Sequence, residues 1–215
     1  MGIEEVENLS TLRENKSRPR LKELIRNYGI VFRHVKLSSN KETDYYYDIK
    51  RLAFNPKGIH LLGDLLLTEV AKYHPKSIGG LEIGAAPLTI SIILKSTEGW
   101  KYRNGLSGFL VRKNPKKHGL EKKVEGILDS PVVIVDDVVT SGQSIKDAID
   151  AVNDEGFSVN GVVCVIDREE EGTINVLKAN NIRYSALFQH SEFKAFIEER
   201  LRVINRDHKI SPDEN

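Results

Sequence analysis

The run VVIVDDVVTSGQS, Val132 to Ser144, constrains the fold more than any other stretch of the chain. Val132–Val135 is continuously apolar, and a strand that is apolar on both faces belongs inside a parallel sheet with helices on either side. Asp136 and Asp137 follow without a break, and a sheet core has no use for two adjacent carboxylates. The strand is therefore expected to stop at Val135, at a working surface.

Open parallel sheets bind ligands beyond the carboxyl ends of their strands. The residues after the acidic pair suit that position. Val139-Thr140-Ser141-Gly142-Gln143 predicts a tight turn of exposed backbone N–H groups, and Ser144 opens an amphipathic helix with Ile145, Ala148, Ile149 and Val152 on one side. A turn of this kind at a helix N-terminus cradles a phosphate dianion. Asp136 and Asp137 would repel that phosphate, so they suit the hydroxyls of an attached sugar, or a divalent cation. A ribose phosphate satisfies both halves.

The rest of the chain alternates in the same way. Ser77–Ile83 predicts a strand, Pro87–Lys95 a helix, Leu106–Val111 a strand, Val159–Ile166 a strand, Thr173–Ala179 a short helix and Ile182–Phe188 a last strand. Ser191–Ile204 closes the chain as a helix. Upstream, Asn55 followed by Pro56 marks a helix start, with Ile59, Leu62, Leu66 and Val70 turned inward. Strand–helix alternation means an α/β fold, a mostly parallel sheet flanked by helices. A helix over Arg20–Tyr28, stopped by Gly29, and strands over Val31–Leu37 and Tyr45–Phe54 do not fit the alternation. They predict a small N-terminal hood. The expected organisation is an arm over 1–19, a domain over 20–207 with its hood at about 20–54 and its core at about 55–190, and a tail over 208–215.

Composition removes several classes. In 215 residues, 40% are hydrophobic and 29% charged, which describes a soluble globular chain. A net charge of +1 excludes a globally basic nucleic-acid binder. The single cysteine, Cys164, lies in an apolar run and can build neither a disulfide nor a cysteine metal site. The start, MGIEEVENLS, is too acidic for a signal peptide, and the expected location is cytoplasmic.

The stretch from Val132 to Ser144 resembles the phosphoribosyl-pyrophosphate (PRPP) motif of type I phosphoribosyltransferases. The resemblance implies that Asp136 and Asp137 meet the ribose hydroxyls and that Val138, Val139, Thr140, Ser141, Gly142, Gln143 and Ser144 hold the 5′-phosphate end. A second stretch, FLVRKNPKKHG from Phe109 to Gly119, is similar to the catalytic loop of orotate phosphoribosyltransferases. It implies a cationic lid over pyrophosphate, with Arg112, Lys116 and His118 serving the partner's site in a homodimer and Lys113 its own. Lys117 adds to the charge of that lid. Negative charge that builds on a leaving pyrophosphate would be compensated there and water excluded.

Two further stretches resemble the same family. LSSNKETDYYYD, Leu37–Asp48, implies Lys41 at the donor and Tyr46 against the base, with Tyr47 as the alternative. VIDREE, Val165–Glu170, implies Arg168 as the partner of the orotate carboxylate, with Thr140 also at the base. By the resemblance, Lys116, His118, Asp136 and Asp137 are the catalytic set. Mg²⁺ is expected to be bound through pyrophosphate and ribose oxygens, not by a dedicated protein site. The expected reaction joins orotate to PRPP, giving orotidine 5′-phosphate and pyrophosphate. Neither nucleic acid nor membrane is an expected partner. The alternatives are a phosphoribosyltransferase for another base and a non-catalytic regulator that senses PRPP. Two positions depart from relatives. Gln143 stands where a glycine is common and is expected to need a backbone angle that favours glycine. Gly84 stands where some relatives carry a lysine.

Overall fold

A computed structural model describes residues 16–36, 42–98, 105–114, 122–170, 175–177, 179 and 181–210. At its centre lies β6 (Val132–Val139), flanked by β3 (Ser77–Leu81) and β7 (Val159–Asp167) in a sheet of order β5-β4-β3-β6-β7-β8. The outer members are β4 (Ser107–Val111), β5 (Val124–Gly126) and β8 (Arg183–Gln189). Every pairing is parallel except β4 with β5. The edge strand β5 was not anticipated from the sequence; three residues carry too little periodicity to register.

Alternation along β6 explains why its run is apolar throughout. Val133 and Val135 join one core with Leu62 and Leu66 of α3 (Pro56–Val70) and Leu88 and Ile92 of α4 (Ala85–Thr97). Val132 and Ile134 join a second core with Ile145, Ala148, Ile149 and Val152 of α5 (Gln143–Asp154). Each face of the sheet thus has its own helical cover, as a parallel sheet requires.

The strand does not stop at Val135. It runs to Val139 and keeps its pairing with β7, Asp136 opposite Cys164 and Val138 opposite Ile166. The expected break fails because the ladder needs only backbone groups, and a carboxylate at a strand's open end is no obstacle to it. The acidic pair therefore stands on a rigid element, not in a loop.

The hood differs from expectation in one element. β1 (Ile30–Lys36) and β2 (Glu42–Tyr47) form an antiparallel hairpin, but β2 ends at Tyr47. Residues predicted to continue the strand form α2 (Ile49–Ala53) instead. Its buried residues are Ile49, Leu52 and Ala53, at i, i+3 and i+4, which a helix can bury together and a strand cannot. Asn55 then caps α3 as expected, its Oδ1 accepting from the N–H groups of Lys57 (3.0 Å) and Gly58 (3.2 Å).

The first helix, α1 over residues 16–24, starts inside the expected arm and ends in a π-turn over Ile25–Gly29. Leu21 and Ile25 join the first core, together with Phe188 and with Phe193 at the head of α6 (Lys194–Ile210). Arg18 and Lys22 bind Glu192 at 2.8 and 3.0 Å, tying α1 to the turn that follows β8. No helix among the described residues is long and apolar enough to cross a membrane.

Candidate active site

The parallel strands β3, β4, β6, β7 and β8 all end on one edge of the sheet, and most of the described candidate residues gather there. Asp136 is only 6% exposed. It accepts from the Ser144 hydroxyl (Oδ2, 2.6 Å) and from the Asp137 N–H (Oδ1, 2.9 Å). Burial, with the adjacent Asp137 carboxylate, pushes its pKa up to about 7 against the pull of these two bonds.

Asp137 looks the other way. Its Oδ1 accepts from the Val138 N–H at 2.9 Å and its Oδ2 from Lys50 Nζ of α2 at 3.3 Å. The turn between β3 and α4 presses close to it. A Cβ on Gly84 would stand 2.6 Å from Asp137 Oδ1, so any side chain there would displace the carboxylate. A lysine at this position is incompatible with this arrangement of Asp137, whereas Lys50 reaches the same carboxylate from α2.

Past the pair, Gly142 adopts φ +78° and α5 begins at Gln143 with no side-chain cap and no acidic residue in its first turn. A left-handed residue here reverses the chain so that the first-turn N–H groups face outward, the arrangement that receives a phosphate. The angle expected of Gln143 belongs to Gly142. Gln143 is helical, and its Nε2 donates to Asp147 Oδ1 at 2.7 Å. Val138 and Val139 lie on β6, and Thr140 and Ser141 in the turn.

Arg168 follows β7, its N–H bound to the Val139 carbonyl at 2.9 Å, so it adjoins the end of β6. Its side chain is 13% exposed and lies 3.7 Å from Glu170, with the guanidinium carbon 5.7 Å from the centre of the Tyr45 ring. Tyr45 stacks on His190 with rings 8° from parallel and centres 6.0 Å apart, and the Tyr47 hydroxyl shares a 2.8 Å hydrogen bond with His190 Nδ1. Burial and the Arg168 charge lower the His190 pKa. Burial raises the Tyr47 hydroxyl well above its ordinary value.

This wall was only partly expected. Residues alternate across a strand, so Tyr45 and Tyr47 share one face of β2 while Tyr46 takes the other. The structure brings Tyr45 to Arg168, and Tyr47 joins through His190. His190 went unnoticed in the sequence, where a lone histidine after a strand carries no spacing signal.

Arg112 and Lys113 leave the end of β4. Arg112 Nη1 donates to Glu125 of β5 at 3.2 Å, and its buried Nε has no hydrogen-bond partner among the described residues. The Lys113 N–H donates to Glu82 Oε1 at 3.1 Å, which ties the ends of β4 and β3 together. Lys41, Lys116, Lys117 and His118 lie outside the described residues.

Comparison with known proteins finds relatives over most of the chain. The phosphoribosyl transferase domain family matches residues 85–178, which include the acidic pair, the turn and Arg168. An orotate phosphoribosyltransferase of Aquifex aeolicus is 40% identical over 159 residues, 73% of this chain and 85% of the relative. One from Corynebacterium glutamicum is 34% identical over 179 residues, 82% of this chain and 94% of the relative. Among solved structures, the Mycobacterium tuberculosis orotate phosphoribosyltransferase in complex with PRPP superimposes with a TM-score of 0.67 at 30% identity, covering 83% of this chain and 99% of that one. An adenine phosphoribosyltransferase of Leishmania tarentolae reaches a TM-score of 0.52 at 15% identity over 80% of this chain and 88% of its own, a likeness of fold alone.

Proposed function

The chain belongs to the orotate phosphoribosyltransferases, and we propose that it carries out the reaction for which they are named, transfer of the 5-phosphoribosyl group from PRPP to orotate. The products are orotidine 5′-phosphate and pyrophosphate, and the step belongs to pyrimidine nucleotide synthesis. The observation that carries this reading is the acidic pair at the end of β6, set between the uncapped N-terminus of α5 and the end of β7, where the Arg168 backbone is bound to Val139. One geometry thereby offers a phosphate cradle, acceptors for ribose hydroxyls and a cation for the base.

In this reading the first turn of α5, with residues 138–144, holds the 5′-phosphate. Asp137, less enclosed than Asp136, accepts from the ribose hydroxyls. Asp136 braces the turn through Ser144. Arg168 pairs the orotate carboxylate, with Tyr45 and Tyr47 beside it and Tyr46 and Thr140 as the further candidates from the family pattern. No nucleophilic side chain is needed. The protein holds the base against the anomeric carbon, and positive charge develops on the sugar as the pyrophosphate leaves. Lys41, Arg112, Lys113, Lys116 and His118 supply the cations for the leaving group.

Among the described residues no three histidine, cysteine or carboxylate side chains converge on one point. The paired carboxylates alone fit Mg²⁺ carried in on substrate oxygens, with Asp137 at its edge, where the ion would neutralise pyrophosphate charge. The homodimer is part of the proposal. It is supported by the family pattern of the cationic loop and by α4, which leaves Ile90 and Leu94 exposed one turn apart. A cytoplasmic location accompanies it, consistent with the lone buried thiol of Cys164.

The test is turnover of PRPP against a panel of bases. Orotate should be converted to orotidine 5′-phosphate while uracil, hypoxanthine and adenine are ignored. A purine that turns over faster reassigns the acceptor, and PRPP binding with no turnover of any base makes the chain a sensor.

A further inference from the structure

We propose that Lys50 of α2 is a binding residue for the diphosphate group of the donor, which it meets alongside Asp137. The proposal rests on the donor-site reading above and goes beyond it, because Lys50 lies outside the matched family segment and outside every motif noted in the sequence.

The two carboxylates divide the site into two sides. Asp136 is bonded to Ser144, on the side of the α5 cradle, whereas Asp137 is bonded to Lys50 and lies against the Gly84 turn. With the 5′-phosphate in the cradle and the ribose hydroxyls on Asp137, the diphosphate on C1 extends to the Asp137 side. That side needs a cation, and among the described residues Lys50 is the one that contacts Asp137.

The ammonium retains capacity for a ligand. It has three hydrogens to donate. Among the described residues it makes one hydrogen bond, 3.3 Å to Asp137, and a longer ion pair, 3.9 Å to Asp48 Oδ1. The side chain is 42% exposed. Asp48 Oδ1 is itself buried without a hydrogen-bond partner among the described residues, so it holds the ammonium by charge and leaves its hydrogens available. Gly84 lets the β3–α4 turn press against the Asp137 carboxylate, which a Cβ there would displace, so that the carboxylate keeps its contact with Lys50. The short helix α2 makes this placement possible. Were residues 49–53 a strand, Lys50 would point to the same side as Leu52, which is buried.

The experiment compares two ligands that differ only in the diphosphate. Calorimetry with Mg²⁺ present measures PRPP and ribose 5-phosphate against the wild type, Lys50→Gln and Lys50→Arg. Lys50→Gln should weaken PRPP by about tenfold or more, the loss of one charge-assisted hydrogen bond. Ribose 5-phosphate should bind all three proteins alike, and Lys50→Arg should keep most of the PRPP affinity. If Lys50→Gln weakens both ligands equally, Lys50 merely tethers α2 to the sheet and the proposal fails. If it weakens neither, the ammonium does not reach the donor and the proposal fails as well. A wild type that binds neither ligand overturns instead the donor-site reading on which the proposal stands.

Discussion

Arg168 shows how little of a residue's role its type discloses. An arginine after a strand is ordinarily a solvated charge, yet here it is largely enclosed between Glu170 and the Tyr45 ring. A cation in such surroundings favours an anionic base over a neutral one, because a neutral base covers the guanidinium without adding charge to compensate the water it displaces. Arg168→Ala should lower kcat/KM for orotate by about a hundredfold or more, leaving PRPP affinity little changed. Steady-state kinetics with calorimetry of PRPP alone decides it, and retained orotate activity removes Arg168 from the base site. Asp136 makes a prediction of a different kind. Its folded pKa, about 7, lies above the ordinary carboxylate value of 3.8, so the folded protein binds the proton more tightly than the unfolded chain does. The stability this contributes is fully present below pH 3.8 and is lost as pH rises through 7. The ligand-free Asp136→Asn variant carries no such charge. Its melting temperature should therefore gain on that of the wild type as pH rises from 3.8 to about 7, and the gap should level off above that. A gap that does not change with pH places the proton elsewhere.

Elements convert these residues into a site by fixing where their backbones end. The junction of β6 with α5 depends on Gly142 at φ +78°, a region that costs an L-residue about 1–2 kcal/mol. Gly142→Ala should lower the melting temperature and raise the KM for PRPP, since the strain falls on the turn that aims the α5 amides. Gln143→Gly should leave the KM for PRPP unchanged, because Gln143 is already helical, and should cost only the small stability loss of a glycine in a helix and of the bond to Asp147. Tighter PRPP binding by Gln143→Gly would mean that position 143, not 142, limits the cradle. α2 shows the same dependence. Its five residues are too few to declare a helix by propensity, and the spacing of Ile49, Leu52 and Ala53 acquires meaning only against the core that buries them.

At the scale of the whole molecule the question is how many chains make one site. A cationic loop that serves a neighbour requires an isologous dimer, in which each site draws its loop from the other chain. Lys116→Ala and Asp137→Asn should each be inactive alone, because one lacks the loop cation and the other the ribose acceptor. Mixed under conditions that allow subunit exchange, they form hybrids in which one site combines an intact loop with an intact acidic pair. Random reassortment should restore roughly a quarter of wild-type activity. If mass spectrometry shows exchange and no activity returns, each chain serves its own site.

The sequence alone determined the α/β class, the central strand, the acidic pair and the turn into α5. It could do so because these are local patterns: a doubly apolar strand, charges adjoining it and a glycine before an amphipathic helix each lie within a dozen residues. Tertiary structure decided the rest. β6 continues through Asp136 and Asp137 because β7 supplies partners for its backbone, a fact that no local pattern contains. Tyr45 lies beside Arg168 because the packing of β2 sets which of its faces meets the end of β7. His190 and Lys50 enter the site from elements more than 50 residues away on one side and more than 80 on the other, His190 by a bond to Tyr47 and Lys50 by one to Asp137. Their roles depend on distance in space, which periodicity along the chain does not encode.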